Sequence, residues 1–303
     1  MTSPVPELNQ RRKTDKYLSF GVYIIIILVL IGLLLAVATF ISKQWGWYFL
    51  REGRNYFNYR FSFPFGYFLY LSGWILTLLI TILLLSIVFW WYQWQLYKRR
   101  NEHIERIKSL KKSLSRWIKE KYNIELHPWT GSEIQLSLRE QKRSTGFFLL
   151  WIILSYIFNV VGFALTIVSW YWLTIDYYVH EQGEIQFFHQ VSRALGEKGI
   201  SFNATVSRPV PPRNMVLYII LMIIPGVNLG WAVWWSYILF KDPNNHFKTH
   251  EFWEEQLERI IAAESIHKTP PSSQSPLEIL KRRYAQGEIT REEFQRMKED
   301  LEK

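Results

Sequence analysis

Leu18-Ser-Phe-Gly-Val-Tyr-Ile-Ile-Ile-Ile-Leu-Val-Leu-Ile-Gly-Leu-Leu-Leu-Ala-Val-Ala-Thr-Phe-Ile41 runs for 24 residues without an Asp, Glu, Lys, Arg or His. It is apolar on every helical face, so no polar stripe marks it as the surface helix of a globular protein, and it is long enough to cross a hydrocarbon core of about 30 Å. Three further stretches share the property: Gly66 to Tyr92, Phe147 to Ile175 and Met215 to Phe240. Together the four hold 106 of the 303 residues, and all 62 charged side chains fall in the other 197. A mean hydropathy near zero conceals this division. The expected fold is all-α: a polytopic membrane protein with four transmembrane helices, a cytoplasmic amphipathic helix and a C-terminal helical hairpin.

The polar lead carries Arg11, Arg12, Lys13 and Lys16 ahead of an apolar run too long for a cleaved signal peptide, which reads as an uncleaved signal anchor. If every stretch crosses once, 28 Lys and Arg lie on the side of the N-terminus and 8 on the other, which puts both termini in the cytoplasm of a multi-pass cell-membrane protein. The segments are then 1–17 (cytoplasmic), 18–92 (first two spans with an aromatic outer loop), 93–146 (basic amphipathic helix and loop) and 147–240 (third and fourth spans with an outer loop). After these come 241–266 (cytoplasmic amphipathic helix), 267–275 (flexible linker) and 276–303 (helical hairpin).

The last two stretches also form a weak internal repeat. Each begins after a basic residue, Arg143 or Arg213, has breakers near its middle, and ends in an aromatic cluster followed by Asp176 or Asp242. Asn159 with Gly162 interrupts one, and Pro225-Gly226 with Asn228 and Gly230 the other. The breaks fit kinks in single spans; they also fit tight turns of re-entrant hairpins, and both readings stay open. Asn159, Pro225, Gly226 and Asn228 are the polar or helix-kinking residues at depth, expected to fix helix pairing.

No ionisable residue lies inside a stretch, which weighs against pumps, proton-coupled transporters and voltage sensors. The absence of cysteine excludes thiol catalysis, disulfides and Cys-based metal sites. The Trp and Tyr clusters at the stretch ends read as interfacial belts rather than as a nucleic-acid stacking surface. No phosphate-binding glycine loop, nucleophile elbow or kinase motif is present. His246-x-x-x-His250 has a ligand-like spacing and is followed by Glu251 and Glu254, but the zincin order is missing, and the favoured reading is a plain amphipathic helix with Phe247, Trp253, Leu257, Ile260 and Ile261 facing membrane or partner. The expectation is a non-enzymatic protein with no catalytic, cofactor-binding or metal residues.

From Leu96 to Lys121 Ile104, Ile107, Leu110, Leu114, Trp117 and Ile118 recur at helical spacing. Arg99, Arg100, Arg106, Lys108, Lys111, Lys112, Arg116 and Lys119 take the other faces. Such a helix can lie on the lipids of an anionic inner leaflet, or form a helix–helix seam.

At the C-terminus Leu277, Leu280 and Tyr284 make one apolar stripe and Phe294, Met297 and Leu301 a second. Gly287 stands where a left-handed cap is required. Thr290 and Glu293 spell a capping box, and Ile289 and Phe294 a hydrophobic staple. Two helices this short need a partner to be stable.

Leu277, Leu280, Tyr284, Gly287, Ile289-Thr290, Glu292-Glu293-Phe294, Lys298 and Leu301 closely resemble the SHOCT family, a short C-terminal domain of prokaryotic proteins. The resemblance implies an interaction or oligomerisation element, binding a second copy or a partner protein. The third and fourth stretches also resemble an uncharacterised prokaryotic integral-membrane family with Gly-Ile-Tyr and Trp repeats; Gly162-Phe163 and Gly230-Trp231 depart from its pattern, and it implies no activity. Assembly or scaffolding at the prokaryotic plasma membrane is the expected role. The alternative is an oligomeric small-solute or ion channel or transporter. Neither involves nucleic acid or a cofactor.

Overall fold

The computed structural model describes residues 4–52, 59–126, 141–266 and 276–301. Among them are ten helices and no strand: α1 Val5–Asn9, α2 Arg11–Thr14, α3 Phe20–Glu52, α4 Tyr59–Tyr122, α5 Thr145–Ile157, α6 Asn159–Gly196, α7 Met215–Ile223, α8 Val227–Ile266, α9 Pro276–Ala285 and α10 Arg291–Leu301. The linker 267–275 and the middle of the first outer loop lie outside the described residues, as do the side chains of its flanking aromatics.

Three helices are long and apolar enough to cross a membrane: Phe20–Gln44 within α3, Leu71–Tyr122 within α4, and α6. α3 packs against α4, close enough that a methyl group on Gly73 would touch Ile41. Leu28, Val29 and Leu33 on α3 and Leu76, Leu79 and Ile82 on α4 are exposed, as a lipid-facing surface requires.

The third and fourth stretches correct the single-span reading, because each folds back on itself. α5 ends at Phe158 and α6 starts at once, with Gly162 against Ser155 across the turn. Trp151 Nε1 donates to Thr166 Oγ1 at 3.1 Å between the limbs. α7 is a nine-residue limb that turns at Pro225-Gly226, where Gly226 has φ +82°, and α8 returns. Trp231 Nε1 donates to the Tyr218 carbonyl at 3.1 Å across this second hairpin.

The ends of each hairpin are tied by a two-pronged Arg–Asp pair. Arg143 holds Asp176 at 2.7 and 3.0 Å, and Arg213 holds Asp242 at 2.8 and 2.9 Å. Fork-to-fork geometry of this kind fixes orientation as well as distance. Asn159, Pro225, Gly226 and Asn228 sit in the turns, and the first three are exposed rather than locked in helix–helix contacts. The connections that four crossings would put on opposite sides are in contact through Arg100 and Asp176 at 2.9 Å, and Tyr97 of the first shares a hydrogen bond of 2.7 Å with Ser169 near the end of the third stretch.

α4 is one uninterrupted helix of 64 residues. Its basic half continues directly from the apolar half as about 30 residues of the same helix, about 45 Å long, and packs in a helix–helix seam, the second of the two readings. The apolar stripe Ile104, Ile107, Leu110, Leu114, Trp117 and Ile118 is buried, as its spacing predicts. α6 lies along this half, and Lys111 stands over the Phe187 ring between them. Arg99, Arg100, Arg106 and Lys111 turn inward and are buried; Lys112, Arg116 and Lys119 are exposed.

α8 runs through Pro243 without a break, so 241–266 is the continuation of a hairpin limb and not a separate helix. Proline has no N–H for the carbonyl four residues back, which here is Leu239. Arg99 Nη2 donates to that carbonyl at 2.7 Å, and its Nη1 reaches Asn244 Oδ1 at 2.9 Å. Asn244 in turn brackets Leu18 through both backbone groups, at 3.3 and 2.8 Å, and so fixes the chain just before α3.

The chain divides into two compact units, 1–253 and 254–303. In the second, α9 ends in a cap in which Gly287 has φ +72° and the Glu288 N–H reaches the Arg283 carbonyl at 3.0 Å. Thr290 N–H donates to Glu293 at 2.8 Å and Glu293 N–H to Thr290 Oγ1 at 3.3 Å, a complete capping box. Tyr284 and Phe294 meet at 5.1 Å between ring centres, and Leu280 and Ile289 are buried.

Candidate metal centre

Five side chains from three helices meet inside the polar body: His103 from α4, His180 and Glu184 from α6, and His246 and His250 from α8. One ligand atom from each lies within 4.8 Å of all the others, and all five residues have no solvent exposure. The two pairs sit at i and i+4, one helical turn apart on a single face, so each helix presents two donors in the same direction.

Glu184 is the hub. Its carboxylate oxygens lie 2.9 Å from His180 Nε2, 2.8 Å from His250 Nε2 and 3.3 Å from His246 Nε2. His103 Nε2 and His246 Nε2 are 3.1 Å apart. Two nitrogens bound to one ion at about 2.1 Å stand about 3.0 Å apart in octahedral and about 3.4 Å apart in tetrahedral geometry, so these hydrogen-bonding separations also match the edges that a coordination polyhedron would have.

The outer nitrogens fix the tautomers. His103 Nδ1 donates to Asp15 Oδ1 at 2.8 Å, and Asp15 is held from its other oxygen by Arg106 at 2.7 Å. His246 Nδ1 donates to Glu181 Oε2 at 3.1 Å, and Glu181 Oε1 accepts the Val210 N–H at 2.7 Å. A neutral imidazole whose proton is on Nδ1 has a lone pair on Nε2. With both rings in the neutral form that burial favours, the two Nε2 atoms face each other lone pair to lone pair, with a carboxylate beside them. Burial lowers the pKa of His246 against the pull of Glu184, favouring the neutral, ligating form. Burial opposes ionisation of Asp15, but His103 and Arg106 outweigh it and hold the carboxyl well below the ordinary carboxylate range. Carboxylate–histidine pairs of this kind orient metal ligands and raise their basicity.

The surround is dry. Phe247 packs on His103 at 4.8 Å between ring centres, and Trp253 on His250 at 5.6 Å. Such a shell strengthens every electrostatic interaction within it.

The structure bears unevenly on the residues singled out in the sequence. His246 and His250 are in the centre, whereas Glu251 is exposed and engaged by Arg11 and Tyr17. The carboxylate comes from Glu184 on another helix. His180, Glu184 and His103 were missed, although a signal for two of them is present: Asp176-x-x-x-His180-x-x-x-Glu184 and Asp242-x-x-x-His246-x-x-x-His250 occupy equivalent places in the internal repeat. Of the basic helix, Arg106 supports the centre through Asp15, while Arg99 and Arg100 bind α8 and α6. The hairpin residues Leu277, Leu280, Tyr284, Gly287, Ile289, Thr290, Glu293, Phe294, Met297 and Leu301 belong to the other unit and form the two-helix element their pattern predicts.

No curated protein and no solved structure matches the chain. Residues 275–302 match the SHOCT family, the short C-terminal domain, so the C-terminal hairpin is a SHOCT domain carried by a helical chain with apolar, membrane-span-like helices.

Proposed function

We propose that this chain is a membrane-anchored metal-binding protein in which His103, His180, Glu184, His246 and His250 hold one first-row divalent ion. The observation that carries it is the pair of Nε2 atoms facing each other at 3.1 Å with both outer nitrogens donating to carboxylates. Two buried lone pairs in that position repel unless a cation lies between them. Imidazole and carboxylate donors suit iron, zinc, nickel or copper rather than magnesium or calcium. Five donors exceed the four of structural zinc, which favours an ion that accepts five or six ligands, Fe2+ ahead of Zn2+. A site closed on all sides by protein donors has no open position for substrate, which supports a structural, storage or sensing role over catalysis.

In this reading α3 and α4 cross the membrane and the other two apolar stretches enter and return. Then 32 of the 36 Lys and Arg lie on the side of the polar body, a sharper asymmetry than four crossings give, which supports a cytoplasmic setting for that body and both termini. The SHOCT match supports a prokaryotic plasma-membrane setting and an assembly role for the hairpin, since Tyr284, Met297 and Leu301 remain exposed on two short helices. A channel would need the hairpin turns at Asn159 and Pro225 to line a path between copies.

The test is elemental analysis of the full-length protein in detergent, with a Co2+ titration read by its visible absorption. About one ion per chain is expected, lost in a His103→Ala, His246→Ala double variant that still elutes as folded. A wild-type protein that carries no metal, and that none of Fe2+, Zn2+, Co2+, Ni2+ or Mn2+ stabilises, would overturn the reading. For the hairpin, an unchanged oligomeric mass after deletion of 276–303 would rule out the assembly role.

A further inference from the structure

A cleft of about 1050 Å³ lies between the N-terminal segment, α4 and the start of α5. Seven Lys and Arg side chains line it, against two Glu. Three of the seven have carboxylate partners: Lys98 with Glu102, Arg106 with Asp15 and Arg143 with Asp176. Arg12, Lys13, Lys16 and Lys142 are exposed and make no ion pair with a described residue. Four uncompensated cations around one concavity attract an anion, and the walls of low dielectric concentrate their field.

Two features define the anion. Ser144 and Thr145 bring the N-terminal end of the 13-residue α5 to the cleft; Ser144 Oγ takes the Gly146 N–H, and the positive end of the helix dipole favours an anion there. Part of the lining is aromatic, with Trp94, Tyr97 and Phe148. Tyr97 and Phe148 belong to the apolar cluster formed where the uncharged stretches give way to the polar body, and Trp94 is 38% exposed. The cleft thus joins a cationic chamber to the level of the membrane interface, where an aromatic ring can lie along a glycerol backbone or the first methylenes of an acyl chain.

We propose that this cleft binds the phosphate of an anionic phospholipid headgroup, with Lys13, Lys16 and Lys142 as the charged contacts and Trp94 and Phe148 flanking the apolar remainder. The proposal does not depend on the metal centre. A free phosphate ion shares the chemistry of the chamber but makes no use of the aromatic wall, and this separates the two sources.

Native mass spectrometry of the full-length protein in detergent, titrated with phosphatidylglycerol or phosphatidylcholine, reads the binding directly. One phosphatidylglycerol should be retained about 100-fold more tightly than phosphatidylcholine, since each of the three basic contacts contributes about 1 kcal/mol. The preference should vanish in Lys13→Glu, Lys142→Glu and persist in Lys112→Glu, which reverses an exposed charge on α4 outside the cleft. Equal retention of the two lipids, a preference that survives the double reversal, or an equal loss in Lys112→Glu would overturn the proposal. Displacement of the lipid by millimolar inorganic phosphate would overturn the lipid source and leave a soluble phosphate as the ligand.

Discussion

The two folded-back hairpins are variants of one design that end in different chemistry. In each, an Arg just ahead of the first limb clasps an Asp on the second, and a His follows the Asp by one helical turn. One turn further the copies diverge, to Glu184 in the first and His250 in the second. That single difference gives the cluster its only carboxylate among the five converging groups, and with it the negative charge that a divalent ion requires. Duplicated scaffolds pointing two i,i+4 pairs at each other, with α4 adding a fifth donor, make a site that neither copy could build alone.

The comparison is tested most severely by exchanging the divergent pair. Glu184→His replaces the charged hub with a fifth imidazole beside the other four and should weaken metal binding by at least about 100-fold, more than loss of an outer-shell partner does. Adding His250→Glu restores the donor set with the copies reversed and should return affinity to within about tenfold. Competition with a chromophoric chelator measures both. A swap no better than the single variant would show that the two copies are not equivalent.

The clasps should differ next. Asp176 answers two arginines, Arg100 and Arg143, the first of them fully buried, whereas Asp242 answers Arg213 alone. Asp176→Asn leaves a buried guanidinium uncompensated and should cost about 3 to 5 kcal/mol. Burial pushes the Asp242 carboxyl up against the pull of Arg213, and Arg213 keeps some contact with solvent, so Asp242→Asn should cost about 1 to 2 kcal/mol. Denaturation in mild detergent ranks the pair, and equal losses would contradict the asymmetry.

The glycines at the turns separate the hairpins again. A Cβ on Gly162 would lie 2.4 Å from the Ser155 Cα, backbone that cannot step aside, whereas Gly230 has open space. Gly162→Ala should therefore cost about 2 to 3 kcal/mol. Gly230→Ala should be neutral or stabilise by up to about 1 kcal/mol, since alanine is the better helix former. A thermal shift of equal size in both variants would mean the first hairpin is not held by close limb packing.

What the sequence discloses depends on how local the cause is. The SHOCT hairpin was legible to the residue because Gly287, Thr290 and Glu293 act within a few positions of one another. The uncharged stretches were legible because membrane spanning leaves a compositional mark, and the apolar stripe of α4 because it has a period. The turning back of the last two stretches was readable only as an alternative, since what decides it is the meeting of Arg143 with Asp176 and of Arg213 with Asp242, 33 and 29 residues apart. The metal centre was half visible. His246 and His250 share a turn, but their carboxylate lies 66 residues from His250, and His103 lies 143 from His246. Aligning the repeat at its two Asp residues would have superposed His180 on His246 and Glu184 on His250; periodicity alone could not.

The smallest expected effect concerns the residue after each Asp, Tyr177 in the first copy and Pro243 in the second. Pro243 leaves the Leu239 carbonyl without its helical donor, and the buried Arg99 supplies one from α4. Arg99→Met should cost about 2 kcal/mol, because it strands that carbonyl as well as removing a charge-assisted bond. Pro243→Ala restores the N–H and should change stability by less than about 1 kcal/mol, since the gain in helix geometry is offset by competition with Arg99 for one acceptor. If Arg99 acts as the surrogate donor, the double variant is more stable than the sum of the singles predicts, by about 1 kcal/mol in a double-mutant cycle. Strict additivity would assign Arg99 to Asn244 alone, and would leave the straight passage of α8 through its proline to packing.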